Sequence, residues 1–279
     1  MPLLRLERVS FRYPSGFALR EIDLEIPSQS FLALIGPNGS GKTTLLRLMT
    51  KLLEPQSGHI YLDHQPLAKF ARRGLAQQMA VISSEQYFEF PFPVAEVVAM
   101  GRFPYLGRLR RMSSQDWKIV DEALEMTQTD HLRERPISQL SSGERQRVLM
   151  ARAVAQKPSI LMLDEPNAHL DINHQISIFR LLQFLNREQG MSVVVVLHDL
   201  TAAGAFCRTV ALLQQGELVK QGKPEEVITT EVLRSTYGAD VLVYPSPLGG
   251  FPQVTYRQEI GDRSQEPGVR RQKTGDTGQ

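Results

Sequence analysis

Residues 36–43 read Gly36-Pro37-Asn38-Gly39-Ser40-Gly41-Lys42-Thr43, a glycine-rich turn ending in a lysine and a hydroxyl, and Thr44 follows. The spacing G-x-x-x-x-G-K-[ST] suits a loop that wraps a polyphosphate. A phosphate chain has no apolar face to grip. It must be held by backbone N–H groups, which crowd around it only where side chains are absent. Gly36, Gly39 and Gly41 permit that approach and the positive-φ turns it needs. Lys42 is then placed to neutralise charge on the outer phosphates, and the Thr43 hydroxyl to ligate Mg²⁺. Two carboxylates, Asp164 and Glu165, end the apolar run Ile160-Leu161-Met162-Leu163. Asp164 suits metal ligation, directly or through water, and Glu165 suits orienting or deprotonating an attacking water. Alone, such a pair is as readily a solvated turn. His198 ends the next apolar run, Val193–Leu197. It is either a hydrogen-bonded core histidine or a contact to a terminal phosphate or its attacking water. Ser141, Ser142 and Gly143 precede a helical pattern starting near Glu144, so hydroxyls, free N–H groups and a positive helix end face one spot. By itself that is a capped helix start.

These groups need elements to position them. Phe31–Ile35 is an unbroken apolar run directly before the glycine turn and reads as a buried strand. Residues 42–53 read as a helix whose positive end points at the same phosphates. In an open parallel sheet, ligands collect beyond the carboxyl ends of the strands, so Asp164, Glu165 and His198 are expected along the edge that carries the loop. Consecutive strand residues face opposite sides, which gives the two acids different jobs.

Elsewhere, Leu3–Phe11 and Ala18–Ile26 alternate apolar and polar residues around the turn Pro14-Ser15-Gly16, the pattern of an antiparallel hairpin. Gly58–Leu62 and Met79–Ile82 are further strands. From about Ser83 helical spacing takes over at Val94–Met100, Ser114–Thr127 and Glu144–Ala155, with loops such as Gly101–Arg111 between. Strands return at Ile160–Leu163 and Ser192–Leu197. The alternation predicts an α/β fold, a parallel sheet covered by helices and interrupted by a mostly helical insertion. A late hairpin is expected near Gly216–Val219 and a short helix near Pro224–Ile228. The expected divisions are a catalytic core over 1–85 and 158–245, a helical part over 86–157, an extension over 246–260, and a disordered tail over 261–279. Arg270, Arg271 and Lys273 in that polar tail read as a solvated terminus rather than a lipid or nucleic-acid contact.

The composition, 42% hydrophobic and 22% charged over 279 residues, is that of a soluble protein with an ample core. A net charge of +2 gives no argument for a nucleic-acid partner. The single cysteine, Cys207, excludes an internal disulfide and suits a reducing compartment. No stretch reaches the roughly 18 to 20 apolar residues of a membrane span, and the start, MPLLRLERVSFRY, lacks a signal-peptide core. A cytoplasmic protein is expected, able to work at a membrane only by docking onto something embedded there.

The glycine loop fits the Walker A pattern, the strand-end acids fit Walker B, and Leu140-Ser141-Ser142-Gly143-Glu144 resembles the signature motif, usually written LSGGQ, of ATP-binding-cassette (ABC) ATPases. The order of the three matches that family, and Asp171 in Asn167-Ala168-His169-Leu170-Asp171 sits where its D-loop aspartate belongs. The resemblance runs from about Leu3 to Tyr244. It implies a P-loop NTPase (RecA-like) core with an N-terminal antiparallel β subdomain and a helical ABC insertion, with ATP and Mg²⁺ as cofactors. It further implies hydrolysis with Glu165 and His198 as catalytic residues and Thr43 and Asp164 at the metal. The family forms head-to-tail dimers in which ATP lies between one copy's Walker A and the other's signature, here Ser141, Ser142, Gly143 and Glu144. Ser142 replaces a family glycine and Glu144 a glutamine. Tyr13 matches the aromatic that stacks on adenine, whereas Phe11 reads as core. The family's Q-loop glutamine, which links the site to the membrane partner, has no plain match: Ser84 holds the position by spacing and Gln86 lies two residues later.

Within the family, VAEVVAMGRFPYLG, NAHLDI and GELVKQGKPEEVITTEVLRSTYGADVLV resemble importers of iron–siderophore, haem and cobalamin-type chelates. That branch implies transmembrane permease subunits, a second copy of the cassette, and indirectly a substrate-binding protein, with no nucleic acid, at the cytoplasmic face of the membrane. Val94, Val97, Val98 and Met100 either line a cleft for a short permease helix or pack internally. The alternatives are a soluble ABC ATPase acting on nucleic acid or ribosomes, and a regulatory nucleotide-binding module. The former usually carries two cassettes or a long coiled coil, and no sustained heptads separate Lys42 from Leu140. The latter has no need of a water-activating Glu165.

Overall fold

Alternating apolar residues build the first two strands. β1 (Pro2–Arg12) and β2 (Ala18–Pro27) pair antiparallel and bury Leu4, Leu6, Ile22, Leu24 and Ile26 on one face. The computed structural model describes residues 2–83, 88, 90–107, 111–168 and 170–256. Ser84, Gln86 and the tail over 261–279 lie outside the described residues. After the hairpin come β3 (Phe31–Ile35), α1 (Lys42–Met49), β4 (Ser57–Leu62), β5 (Gln65–Pro66), α2 (Arg72–Gln78) and β6 (Met79–Ile82). Three helices follow, α3 (Val94–Ala99), α4 (Ser114–Met126) and α5 (Ser142–Ala155). The chain then alternates through β7 (Ile160–Asp164), α6 (Ile172–Arg187), β8 (Ser192–Val196), α7 (Leu200–Phe206), β9 (Thr209–Gln214) and β10 (Glu217–Gly222). It closes with α8 (Pro224–Val227), α9 (Thr230–Tyr237) and the antiparallel pair β11 (Val241–Pro245) and β12 (Pro252–Tyr256).

Two larger sheets result. One is antiparallel in the order β2-β1-β4-β5, and the other runs β10-β9-β3-β8-β7-β6, parallel from β9 to β6 with β10 antiparallel at its edge. The central strands are apolar on both sides because both sides are covered. Alternation sorts their residues into two cores. Phe31, Ala33, Leu161, Leu163, Val193 and Val195 pack with α3, α4 and α5. Leu32, Leu34, Ile160, Met162, Val194 and Val196 pack with α1 and the antiparallel sheet.

Several elements differ from the sequence expectation. The helix after the glycine turn ends at Met49 rather than near Leu53. Thr50 caps it, its hydroxyl donating to the Leu46 and Arg47 carbonyls at 2.9 and 3.1 Å, and Lys51 turns the chain with φ +56°. Val94, Val97 and Val98 are fully buried, so they line no docking cleft. α3 needs its apolar face for the core it shares with α4 and α5. The expected loop after it begins as a 3₁₀ turn, Met100–Tyr105. The segment read only as an extension contributes β12, whose Pro252 lies against Gly204 of α7.

That 3₁₀ turn contains a buried arginine. Arg102 donates to Asp116 at 3.1 Å and to the Ala155 carbonyl at 2.8 Å, and stacks 4.0 Å above the Tyr105 ring. It thereby joins the starts of α4 and of the turn to the end of α5. Asp116 also completes a capping box with Ser113. Those Ser113 hydrogen bonds, and then Arg102, hold its carboxyl below the ordinary value. Removing one partner of a buried pair strands the other. Arg102→Met is therefore expected to cost about 3 kcal/mol of unfolding free energy, read from urea denaturation. The depressed Asp116 stabilises the fold fully above its unfolded value of 3.8, and loses that contribution as pH falls through the lower folded value. Ser113→Ala should accordingly lose less stability than wild type between pH 4 and pH 2 on acid titration followed by circular dichroism.

Candidate nucleotide-binding and hydrolysis site

The glycine turn leaves β3 and enters α1 with little room to spare. Gly36 has φ +148°, and a Cβ there would lie 2.1 Å from the Leu213 carbonyl oxygen on β9. Gly41 caps α1 at φ +107°, where a Cβ would meet Leu19 at 2.5 Å and Phe17 at 2.9 Å. Gly39 has open space, so only its φ of +75° calls for glycine. The turn is also braced from outside. The Gly216 N–H donates to the Ser40 carbonyl at 3.1 Å. Burial pushes the Tyr237 phenol up to about 12, opposed in part by a hydrogen bond from the Gly36 backbone.

Lys42 folds back along the turn, its ammonium donating to the Gly36 carbonyl at 2.9 Å and to that of Pro37 at 3.1 Å. It is only 6% exposed. Burial lowers its pKa, against the opposing pull of Glu165 and Asp164. Thr43 donates its hydroxyl to Asp164 at 3.3 Å, across to the end of β7. Burial raises the Asp164 pKa; Thr43 pulls it back, the Glu165 charge raises it further, and Arg47 and Lys42 lower it. A hydroxyl and a carboxylate are both hard oxygen donors and fit a small divalent cation whose other ligands come from phosphate and water.

Glu165 stands differently from the sequence expectation. β7 ends at Asp164, and Glu165 has left the strand, with φ +52° and its N–H donating to the Val196 carbonyl at 3.2 Å. The two acids are separated by this left-handed turn rather than by strand alternation. A non-glycine residue held there is a strained position of the kind found at functional sites. Its carboxylate meets His198 Nε2 at 2.6 Å, a bond that fixes the orientation of both side chains.

Tyr13, Phe17, Asn38, Gly39, Gly41, Lys42, Thr43, Thr44, Glu165 and His198 line one cleft of about 410 Å³. Gly36, Pro37, Ser40 and Asp164 are not among the lining residues; Gly36 and Pro37 adjoin the cleft through Lys42 and Asp164 through Thr43. Tyr13 is held edge-on against Phe11, with ring centroids 4.8 Å apart, while Phe11 packs on the antiparallel core. Phe17 was not singled out in the sequence, although it lies four residues after Tyr13 and its carbonyl accepts the Tyr13 N–H at 2.8 Å.

The structure does not bring Ser141, Ser142, Gly143, Glu144 or Asp171 to this cleft. Ser141 is the N-cap of α5, accepting the Glu144 N–H at 3.3 Å. The Glu144 carboxylate turns back to take the Ser141 N–H and hydroxyl, both at 2.8 Å. Those bonds, with Arg135 nearby, lower its pKa. Asp171 is the N-cap of α6. Its carboxylate accepts the His174 N–H and holds the His174 ring, both at 2.9 Å.

The family model for "ABC transporter" matches residues 19–168. The ferric enterobactin transport ATP-binding protein FepC of Escherichia coli is 36% identical over 90% of this chain and 93% of its own length. The iron(3+)-hydroxamate import ATP-binding protein FhuC of Bacillus subtilis is 35% identical over 90% and 94%. Among solved structures, an inward-facing transporter assigned to the metal-chelate type superposes with a TM-score of 0.83 at 26% identity, covering 93% of this chain and 99% of that one. The ADP- and phosphate-bound dimer of the cassette MJ0796 gives 0.69 at 31% identity, covering 79% and 98%. The glycine turn, the acid-ended strand and the capped α5 thus lie in a fold shared over nearly the whole length of these proteins, and the chain belongs to the ABC transporter family as an ATP-hydrolysing cassette.

Proposed function

We propose that this chain is the ATP-hydrolysing subunit of a membrane importer for iron–siderophore, haem or cobalamin-type chelates, and that it works as a pair of copies. The observation that carries the chemistry is the convergence of Lys42, Thr43, Glu165 and His198 on one cleft, with Asp164 adjoining it through Thr43. In this reading Tyr13 stacks on adenine, and the backbone from Gly36 to Thr44 wraps the phosphates. Thr43 and Asp164 would hold Mg²⁺, which would supply neutralisation of phosphate charge. Glu165 accepts a proton from the attacking water, and His198, tied to it, keeps that carboxylate aimed. The buried Lys42 and Asp164 are each disfavoured as ions, so an anionic ligand with its cation relieves both.

The signature residues line no part of their own chain's cleft, which supports their serving the nucleotide of a second copy. Ser141, Ser142, Gly143 and Glu144 then complete a site whose other half is the partner's glycine turn, with Asp171 at the junction. Glu144 has to release Ser141 for that contact. Docking to the permease falls to a groove on the α1–α2 side, bordered by Thr50, Lys51, Leu52, Arg72, Leu75 and Met79. Leu52 is 68% exposed there, next to the strand that leads toward Ser84 and Gln86. Among the described residues no helix is long and apolar enough to cross a membrane; in this reading the chain attaches at the cytoplasmic face through that permease. The import direction and chelate class rest on the siderophore transport subunits it resembles. The alternative of an ATPase acting on nucleic acid or ribosomes has no comparable support.

Lys42→Ala is expected to abolish ATP binding in an isothermal titration, and retained affinity would remove the glycine turn from the site. Glu165→Gln should keep binding but slow phosphate release by about 10²–10⁴-fold, the usual weight of a general base. Co-purification with a polytopic permease from the same operon should raise the ATPase rate, and chelated iron with its binding protein should raise it further. A rate indifferent to both sinks the importer reading.

A further inference from the structure

The loop that follows Glu165 is held by a turn of its own and by the first turn of α6. The Ala168 N–H donates to the Glu165 carbonyl at 3.1 Å. The Gln175 amide donates to the carbonyls of Leu170 at 2.9 Å and Asn167 at 3.4 Å. One residue earlier on the helix, His174 turns the other way. Its Nδ1 lies 2.9 Å from both oxygens of Asp171. Its ring fills the space that a side chain at Gly143 would need: a Cβ there would lie 2.0 Å from His174 Cδ2 and 2.5 Å from Nε2. A continuous set of contacts therefore runs inside one chain from the Glu165 turn, through Asp171 and His174, to the Ser141–Gly143 turn. His174 belongs to no motif legible in the sequence.

We propose that His174 is a positioning residue that locks the signature turn of a chain to the loop carrying that chain's own Glu165. This rests on the paired-copy reading above, in which the signature turn touches the partner's nucleotide while Glu165 serves its own. The lock makes closure around one nucleotide felt at the other, so the two sites form together. The glycine at 143 has two reasons to be small: the approach of a phosphate on one side and the imidazole on the other. The chain of contacts is a physical route, and coupling along it is what has to be measured.

The test uses the full chain carrying Glu165→Gln, titrated with ATP while the dimer fraction is read by analytical ultracentrifugation. His174→Phe in that background keeps a ring beside Gly143 and loses the bond to Asp171. His174→Asn keeps an amide near the Nδ1 position and loses the ring. The ATP concentration for half-dimerisation should rise by about 5-fold or more with His174→Phe, the lower end of ordinary coupling between sites, and His174→Asn should recover part of the loss. ADP affinity of the dilute single protomer, measured with a fluorescent analogue, should match the parent in both. Dimerisation of both variants at the parent's ATP concentration overturns this inference alone. A parallel loss of ADP affinity also overturns it, since His174 would then be acting on the fold at large. A parent that fails to dimerise overturns the paired-copy reading and takes this inference with it.

Discussion

Two opposite charges, Lys42 and Asp164, are withdrawn from water at the carboxyl edge of one sheet, and burial disfavours the ionised form of each. That is costly to build, because a charge in a low-dielectric setting needs partners on every side. The chain supplies part of the set. Two backbone carbonyls take the ammonium and one threonine hydroxyl takes the carboxylate. In the proposed reading the rest comes from a nucleotide phosphate and its cation, which an open cleft can admit. Filling it with a larger side chain would leave both ions stranded.

The fold can be read as the means of holding that edge. β3 and β7 end side by side across β8, and their next residues are the glycine turn and Glu165. Buried valines keep β8 featureless until His198. The carbonyl of Leu213 presses on Gly36 and Phe17 lies beneath Gly41, so the turn is gripped by β9 from one side and by the hairpin loop from the other. Glu165 is held at this edge by two bonds: its left-handed backbone is pinned to Val196 and its side chain to His198. In the proposed reading, a carboxylate fixed at both ends loses little freedom when water is presented to it, as electrostatic preorganisation requires.

How far the sequence discloses this depends on how local each feature is. The glycine turn and its strand are consecutive residues with a steric rule attached, and their pattern is legible without any tertiary information. Asp164 and Glu165 are legible as a pair, but their separation is not. Strand alternation predicts opposite faces, whereas a backbone bond to Val196, distant in sequence, turns Glu165 out of the strand. Val94, Val97 and Val98 could be read as a cleft lining or as core, and only the arrival of α4 and α5 decides it. His174, Phe17 and Tyr237 carry no motif. Each matters because the fold sets it against a glycine of the loop or of the signature turn, and contacts between distant segments leave no mark on spacing. Arg102 is the same case in the helical part: a charged residue in an apolar stretch gives no hint that Asp116 and the Ala155 carbonyl wait for it.

The division of each central strand between two cores has an evolutionary corollary. Side chains facing α3, α4 and α5 never meet those facing α1, because the sheet stands between them. A lineage can therefore remodel the α1–α2 side, and with it the groove proposed to meet the permease, while the layer of α3, α4 and α5 stays untouched. Such a layout lets one engine be handed from one uptake system to another by drift on a single surface.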